Sequence, residues 1–254
     1  MMHLAVRLAH NEADLRAAQA LRYRVFVQEM GADGPLVDHA AKLERDRFDA
    51  FADHLLLVDN SVPCGQSGHV VGVYRLLPQG QSDAAGGFYC DAEFDLQPLI
   101  KSGRRLLELG RSCVDPAYRG GAAMLLMWQA LAEYVQSRGV EILFGAASFR
   151  GTDPQALAQP LSLLHHHYLA PPALRVRARE AQPMDLLAPD QLDRKAALAQ
   201  LPPLIKAYLR IGGVVGEGAF IDHAFRTTDI CLILDTQNLA RTGHSLTAAA
   251  SGRA

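Results

Sequence analysis

Hydrophobic positions along the chain follow two spacings, which together predict an alternation of strands and helices. Runs rich in β-branched and apolar residues predict strands at 3–8, 54–59, 69–77, 106–114, 140–147 and 224–235. Apolar residues at helical spacing predict helices at 11–31, 122–136 and 201–210, with a shorter one within 88–101. This mixture of elements is typical of an α/β protein.

Boundary residues support several of these elements. Asn11 precedes the first helix as an N-cap would, and Gly31 follows it as a C-cap would. Residues 79–87 are expected to form a loop, and Ser148 to Pro154 are expected to turn into a helix. The polar, acidic stretch 33–53 is expected to be a loop or a short helix, either a solvated connection or the cover of a site.

Composition narrows the class of protein. The chain has 254 residues, 49% of them hydrophobic and 20% charged, with a net charge of −2 that argues against nucleic-acid binding. Its four cysteines lack CxxC spacing, which argues against zinc and favours a reducing compartment. No signal-peptide pattern and no 18-residue uncharged apolar run occurs. We therefore expect a cytoplasmic protein with one domain over 1–238 and a disordered tail over 239–254.

The stretch from 106 to 131 carries the clearest candidate chemistry. It predicts a strand that stops at Asp115-Pro116, then a basic and glycine-rich turn, then an apolar helix. The turn consists of Arg119, Gly120, Gly121, Ala122 and Ala123. A helix N-terminus presents free N–H groups and the positive end of the helix dipole, so this junction is a candidate anion site.

Two charged residues interrupt the apolar strand that precedes this turn. In a regular strand Glu108 and Arg111 would point to opposite faces. Gly110 lies between them, and a glycine inside a strand often marks a bulge, which re-aims side chains. We expect a bulge that brings both side chains near one cavity; a purely structural ion pair is the alternative.

The strand, the Val-Asp-Pro-x-Tyr-Arg-Gly-Gly turn and the apolar helix resemble the acyl-donor core of the GNAT acyltransferase superfamily. In that pattern an arginine or glutamine is followed by glycine three positions later and by glycine or alanine two positions after that. Counting from Arg119, these positions hold Ala122 and Met124. The larger side chains would crowd a nucleotide pyrophosphate, which favours the branch that accepts acyl chains from acyl carrier protein.

Three further segments resemble the bacterial ornithine N-acyltransferases and, in part, the acyl-homoserine-lactone synthases. They are residues 21–29, Glu-Leu-x-Arg at 108–111, and the run from Leu-Pro-Pro-Leu at 201 to Thr-Thr-Asp-Ile at 230. The resemblance covers roughly residues 5 to 236. It implies a GNAT-like three-layer α/β (α+β) fold, with a mixed, centrally splayed sheet flanked by helices. It also implies transfer of a 3-hydroxyacyl chain from acyl carrier protein to the α-amine of L-ornithine, giving lyso-ornithine lipid.

The same resemblance suggests roles for individual residues. Glu108 would be the general base for direct attack of the amine on the thioester. Arg111 or Arg75 would hold the ornithine carboxylate, and Asp46 or Asp49 its distal ammonium. The turn from Arg119 to Ala123 would hold the phosphate of phosphopantetheine, with no permanently bound cofactor. Further substrate-binding candidates are Arg24, Phe26 and Ser148, with Phe144 and Trp128 along the acyl chain; Ser148 has helix capping as an alternative role.

Basic side chains suggest where an acidic acyl carrier protein would dock. Arg175, Arg177 and Arg179 would share one face of a strand. Lys101, Arg104, Arg105 and Arg150 are further candidates. An exposed edge strand protected by its charges is the alternative. His165, His166 and His167 are adjacent and would diverge on a helix, so no metal site is expected.

Other functions remain open from the residues alone. Acyl-homoserine-lactone synthases are shorter, use S-adenosylmethionine and carry N-terminal tryptophans that this chain lacks. A coenzyme-A-dependent N-acetyltransferase is disfavoured by Ala122 and Met124, and a non-catalytic acyl-carrier-binding module is an alternative from another class. Peripheral contact with the inner membrane is a further expectation, because the product would be an amphiphile.

Overall fold

The computed structural model describes residues 3–62, 69–242 and 246, and its elements follow the predicted alternation. The elements of the first half are β1 (Leu4–Leu8), α1 (Glu12–Arg22), β2 (Val37–Asp38), β3 (Leu43–Glu44), β4 (Asp53–Asp59), β5 (His69–Pro78), α2 (Gln79–Ala84), β6 (Phe94–Asp95), α3 (Gln97–Lys101), β7 (Leu106–Val114) and α4 (Gly121–Arg138). Those of the second half are β8 (Ile142–Arg150), α5 (Ala158–Tyr168), β9 (Arg177–Ala178), α6 (Arg194–Gln200), α7 (Pro203–Arg210), β10 (Val214–Val215), β11 (Phe220–Asp222), β12 (Thr227–Asp235) and α8 (Thr236–Thr242).

These elements form two units, the first of which contains the described residues 3–62, 69–88, 108–139 and 246. Its strands lie in the order β1–β4–β5–β7, and β4 pairs antiparallel with both β1 and β5. Ala18 and Leu21 of α1 pack in an apolar cluster with Leu56 of β4 and Val73 of β5. This burial of one helix stripe against the sheet fixes the position of α1.

The second unit is built from residues 89–107 and 140–242. Its longest pairing joins β8 to β12 in antiparallel register, from Ile142 opposite Asp235 to Arg150 opposite Thr227. β10 and β11 both pair antiparallel with β12, and β6 pairs with β9. The α/β class predicted from the sequence is confirmed, whereas a single domain over 1–238 stays a prediction.

Several predicted boundaries are confirmed. The Asn11 side chain accepts a hydrogen bond from the Asp14 N–H at the start of α1. β7 ends at Val114, directly before Asp115 and Pro116. Helix α4, predicted over 122–136, covers Gly121–Arg138, and Gly139 directly after it has a φ of 59°, in the left-handed region that favours glycine.

Other boundaries were predicted wrongly. Residues 79–84 form helix α2 instead of a loop, although Gly80 and Ser82 suggested a turn; the Ser82 hydroxyl donates to the Gln79 carbonyl within this helix. Strand β8 continues through Ser148 to Arg150, because these residues pair with β12; Ser148 therefore does not cap a helix. The predicted strand at 224–235 begins only at Thr227, after a turn in which Arg226 has a φ of 55°.

Two further segments of the second unit, the arginine-rich stretch and the C-terminal helix, also differ from expectation. Of the proposed arginine strand, only Arg177–Ala178 is extended, because Pro172–Leu174 forms a 3₁₀ turn immediately before it. Helix α8 reaches Thr242, inside the stretch predicted to be a disordered tail; residues 243–245 and 247–254 lie outside the described residues. No helix in the described ranges has the length and apolar character needed to cross a bilayer.

Candidate active site

The first side chain of the site comes from the junction between α1 and a π-helical stretch. The π-helix covers Tyr23–Glu29 and follows directly on Arg22, the last residue of α1. Arg22 lies beside the apolar residues Leu21 and Val25, and its side chain is fully buried. A π-helical turn inserts extra backbone into a helix and is frequently found at functional sites.

The acidic partners come from the segment that follows this helix. Glu44 ends β3, and Asp46 caps a 3₁₀ helix at Arg47–Ala50. The Asp46 side chain accepts from the Phe48 N–H, while the Asp46 N–H donates to the Asp49 carboxylate. This reciprocal cap fixes both carboxylates, and Phe48 beneath them is buried.

Arg22 joins two of these carboxylates. Its Nε donates to Glu44, and its Nη1 donates to Oδ1 of Asp49 at 2.7 Å. Gln19, one turn earlier in α1, also donates to Asp49, at 3.0 Å. Arg22 therefore holds the acidic segment against the first helix.

Two strand arginines complete the same network. Arg75 on β5 donates from Nη1 to Asp46 at 2.6 Å and to Asp49 at 3.0 Å. Arg111 on β7 donates from Nε to Glu44 at 3.0 Å and from Nη2 to Asp46 at 3.3 Å. Three arginines thus face three carboxylates in an ionic cluster of Arg22, Glu44, Asp46, Asp49, Arg75 and Arg111.

This ionic cluster is nearly closed to solvent. The side chains are at most 9% exposed, and the formal charges of three cations and three anions cancel. Charges buried in this way are tolerated because they are paired and hydrogen-bonded, but removal of one partner leaves a costly uncompensated charge. Arg22 Nη2 is a buried donor with no hydrogen-bond partner among the described residues.

Two titratable groups have pKa values that the cluster shifts. Burial alone would raise the pKa of Asp49, but the charges of Arg22 and Arg75 override it and hold that pKa well below its usual range. Burial lowers the pKa of His54, which lies opposite Arg75 on β4. His54 Nε2 contacts the Asp49 carbonyl oxygen at 3.0 Å, so the neutral ring donates there.

The β7 backbone is irregular where the sequence predicted a bulge. Arg111 has a φ of 52°, in the left-handed region, whereas Gly110 does not. A non-glycine residue in that conformation is uncommon and marks a local constraint. Glu108, three residues earlier on β7, is buried and only 3% exposed. The backbone is thus irregular at Arg111, whereas a bulge at Gly110 and a cavity shared by Glu108 and Arg111 stay predictions.

The predicted anion turn lies at the start of α4. Helix α4 begins at Gly121, so the first N–H groups of that turn have no partner within the helix. The Arg119 side chain is engaged elsewhere: it donates to Glu29 at 2.7 Å and to the Val114 carbonyl at 3.0 Å. The backbone N–H groups of Gly121, Ala122 and Ala123 therefore stay the predicted anion donors of the turn, and Arg119 ties the turn to Glu29 at the end of the π-helix.

The remaining predicted residues are dispersed. Arg24 is 43% exposed and lies 3.7 Å from Asp115, and Phe26 packs on the apolar cluster beneath α1. Ser148 is exposed on β8 of the second unit, opposite Asp229. Sequence reasoning did not single out Arg22 or Glu44 as site residues. The available signal was a charged residue, Arg22, at an apolar position of the helical pattern.

The proposed docking arginines differ in availability. Arg104 is bound to Asp235 and to the Glu141 carbonyl, while Arg105 is 69% exposed. Arg177 is 71% exposed beside Glu217, and Arg179, also exposed, donates from Nε to the Asp91 carbonyl at 2.6 Å. Arg175 donates to the Ala170 carbonyl. Exposed positive charge therefore remains at Arg105, Arg177 and Arg179.

Comparison with known proteins identifies the family. A family model described as Acetyltransferase (GNAT) domain matches residues 21–129. L-ornithine N(alpha)-acyltransferase of Rhodobacter capsulatus is 59% identical over 235 residues, which is 92% of this chain and 91% of the relative. The enzyme of that name from Brucella abortus is 43% identical and covers 93% of this chain and 86% of its own length. The chain belongs to the L-ornithine N(α)-acyltransferase family.

Membership of this family makes the chain an acyltransferase, as the sequence resemblance implied. Two solved structures share its fold at low identity. The AHL synthase LasI has a TM-score of 0.50 at 15% identity, covering 99% of this chain and 96% of its own. FeeM, an N-acyl amino acid synthase from uncultured soil microbes, has a TM-score of 0.53 at 11% identity, covering 97% and 98%. The predicted GNAT-like fold is thus confirmed.

Proposed function

We propose that this acyltransferase moves a 3-hydroxyacyl chain from the phosphopantetheine of acyl carrier protein to the α-amine of L-ornithine, forming lyso-ornithine lipid. The observation that carries the proposal is the 59% identity, over 92% of the chain, to a relative named L-ornithine N(alpha)-acyltransferase. The acyl-carrier donor is supported by Ala122 and Met124, which stand where the GNAT pattern has small residues beside a nucleotide pyrophosphate.

Glu108 is the proposed general base. The α-amine must lose a proton as it attacks the thioester carbon, and a positioned carboxylate can accept that proton directly or through a water. The thioester carbonyl becomes an oxyanion, the C–S bond breaks, and the proton ends on the departing phosphopantetheine thiolate. Backbone N–H groups of the β7 strand are the proposed donors to the oxyanion.

Transfer without an acyl-enzyme is supported by the state of the cysteine on the same strand. Burial raises the pKa of Cys113 to about 12, so its thiol stays protonated near neutral pH. Since the thiolate is the nucleophile in cysteine catalysis, this residue is unsuited to forming an acyl intermediate.

Substrate charges match the residues around this strand. Arg111 and Arg75 are the proposed partners of the ornithine carboxylate, and Asp46 and Asp49 are the proposed partners of its distal ammonium. In the structure these side chains neutralise one another. Substrate would therefore enter by exchanging one internal ion pair for a pair with its own carboxylate or ammonium, assisted by Arg24.

The donor would bind along the first unit. The phosphate of the donor's phosphopantetheine would accept hydrogen bonds from the backbone N–H groups at the start of α4, because a helix N-terminus is suited to bind phosphate. The acyl chain would lie along Phe26 and other apolar side chains. Arg105, Arg177 and Arg179 would attract the acidic carrier protein. The product is a single-chain amphiphile, which supports peripheral contact with the inner membrane as part of the proposal.

The test is an acyl-transfer assay with purified protein. We would incubate it with 3-hydroxyacyl-acyl carrier protein or the matching acyl-coenzyme A, together with ornithine, lysine or S-adenosylmethionine, and follow free thiol and lipid product. The expected result is turnover with the carrier-protein donor and ornithine. Turnover with coenzyme A donors alone, or with S-adenosylmethionine alone, would contradict the proposal. Thiol release without amide product would indicate hydrolysis.

A further inference from the structure

Three carboxylates converge in the second unit, in a place that the proposed reaction does not use. One oxygen each from Glu93, Asp222 and Asp229 lies within 4.8 Å of the other two. Glu93 and Asp229 are 5% and 4% exposed. Asp222 is half-buried, and its Oδ1 accepts from the Ala224 and Phe225 N–H groups. Like charges so close together repel, and a bound cation or shared protons would stabilise them.

A buried hydroxyl faces the same place. Thr227 is the cross-strand partner of Asp222 and lies two residues before Asp229 on β12, so all three side chains stand on one face of the sheet. Thr227 is 3% exposed, and its Oγ1 has no hydrogen-bond partner among the described residues. A buried hydroxyl without a partner is costly, and it points to a missing ligand.

From this geometry we propose a binding site for a hard divalent cation of the size of Ca²⁺, formed by Glu93, Asp222, Asp229 and Thr227. All four donors are oxygens, which hard cations prefer over nitrogen or sulfur. Ca²⁺–O bonds of about 2.3–2.6 Å place opposite ligands about 5 Å apart, which accommodates the observed separation. Arg150 stands opposite Thr227 on β8 and would balance the remaining negative charge.

The cation would link segments that are distant in the chain. Asp222 ends β11 and Asp229 lies on β12, whereas Glu93 precedes β6 in the loop that also receives a hydrogen bond from the Arg179 N–H. Binding would therefore hold the β11–β12 hairpin to the segment around β6. The site is structural, and its test does not depend on acyl transfer.

The direct test is calorimetric titration of the chelator-treated full chain with CaCl₂, and separately with MgCl₂. We expect saturable one-to-one binding of Ca²⁺ and a rise in the thermal midpoint when Ca²⁺ is present. Asp229→Asn should weaken Ca²⁺ binding at least tenfold. Glu180→Gln, an exposed acid in the same unit, should bind as the wild type does.

Two further measurements separate the loss of a ligand from the loss of the fold. Without cation, Asp229→Asn should keep the wild-type circular dichroism spectrum and melt cooperatively near the wild-type midpoint. Thr227→Val keeps size and charge, and it should weaken Ca²⁺ binding at least threefold without lowering that midpoint. The proposal would be overturned if the wild type showed no saturable Ca²⁺ binding, or if both variants bound Ca²⁺ with wild-type affinity. Shared protons would then explain how the three carboxylates lie so close together.

Discussion

Arg22 and Glu44 form an ion pair from which solvent is fully excluded: each side chain has 0% exposure. Glu44 also accepts from Arg111 at 3.0 Å, so one carboxylate links the first helix to the strand that carries Glu108. This relationship makes Glu44 a structural centre of the candidate site, although it is not among the residues proposed to touch substrate.

The first prediction concerns stability. Glu44→Gln leaves two buried guanidinium groups without their shared counter-charge, and we expect a loss of about 3–5 kcal/mol in the free energy of unfolding. Urea titration followed by circular dichroism would measure it. Asp38→Asn is the matched control, because it breaks an exposed pair with Arg45 and should leave the midpoint nearly unchanged. Equal effects of the two substitutions would contradict the prediction.

A second prediction concerns the proposed base. Glu108→Gln keeps the shape of the side chain and removes its basicity, so kcat should fall by about 10²–10⁴-fold. Thiol release from 3-hydroxyacyl-acyl carrier protein in the presence of ornithine would report the rate. Glu133→Gln, at an exposed position of α4, is the control and should retain wild-type turnover. Full activity of Glu108→Gln would remove Glu108 from the mechanism.

The third prediction concerns pH. Because the folded state lowers the pKa of His54, the unfolded chain takes up that proton first as the pH falls below about 6.5. The stability due to neutral His54 is therefore present above pH 6.5 and is lost as the pH falls from there toward the folded-state pKa. Asp49 adds a second loss at lower pH, below its unfolded value near 3.9.

Thermal midpoints between pH 8 and pH 5 would test the histidine contribution. His54→Gln can still donate to the Asp49 carbonyl but does not titrate, so its midpoint should fall less than that of the wild type across this range. His10→Gln changes an exposed histidine and should follow the wild-type curve. If His54→Gln loses as much stability as the wild type, neutral burial of His54 is not what makes folding pH-dependent.

The fourth prediction concerns docking of the acyl carrier protein. Arg177→Glu combined with Arg179→Glu should raise KM for acyl-acyl carrier protein several-fold and leave KM for ornithine unchanged, with a weaker salt dependence than in the wild type. Steady-state kinetics at two ionic strengths would measure this. Lys195→Glu, on the exposed side of the same unit, is the comparison. An equal rise in both KM values would indicate a general loss of structure instead.

Arg104 provides an internal contrast to these exposed arginines. It donates to the Asp235 carboxylate and the Glu141 carbonyl, and its hydrogen bonds to Asp235 raise its pKa. Replacement of Arg104 should therefore lower the free energy of unfolding more than it weakens docking of the acyl carrier protein.

Local signals in the sequence were sufficient for most of the elements. Asn11 caps the start of α1 and Pro116 follows the end of β7, because caps and breakers act within a few residues. The errors arose where a local signal competed with pairing partners: Ser148 was expected to begin a turn, yet β12 holds it in a strand.

Local patterns also predicted part of the candidate site. The spacing of Glu108, Gly110 and Arg111 is a local pattern, and it predicted an irregular strand that the left-handed conformation of Arg111 supports. The resemblance carried by residues 21–29, 108–121 and 201–230 was enough to predict the family.

The sequence by itself therefore determined the order of elements, the acyltransferase family and the strand that carries the proposed base. Only the tertiary structure decided that Arg22 and Glu44 belong with the predicted Asp46, Asp49, Arg75 and Arg111. The physical reason is distance along the chain: Arg111 and Glu44 are 67 positions apart, and no local spacing encodes such a pair. Buried charges are stable only when they are paired, and these pairs form only when folding brings the residues together. The sequence alone therefore does not reveal them.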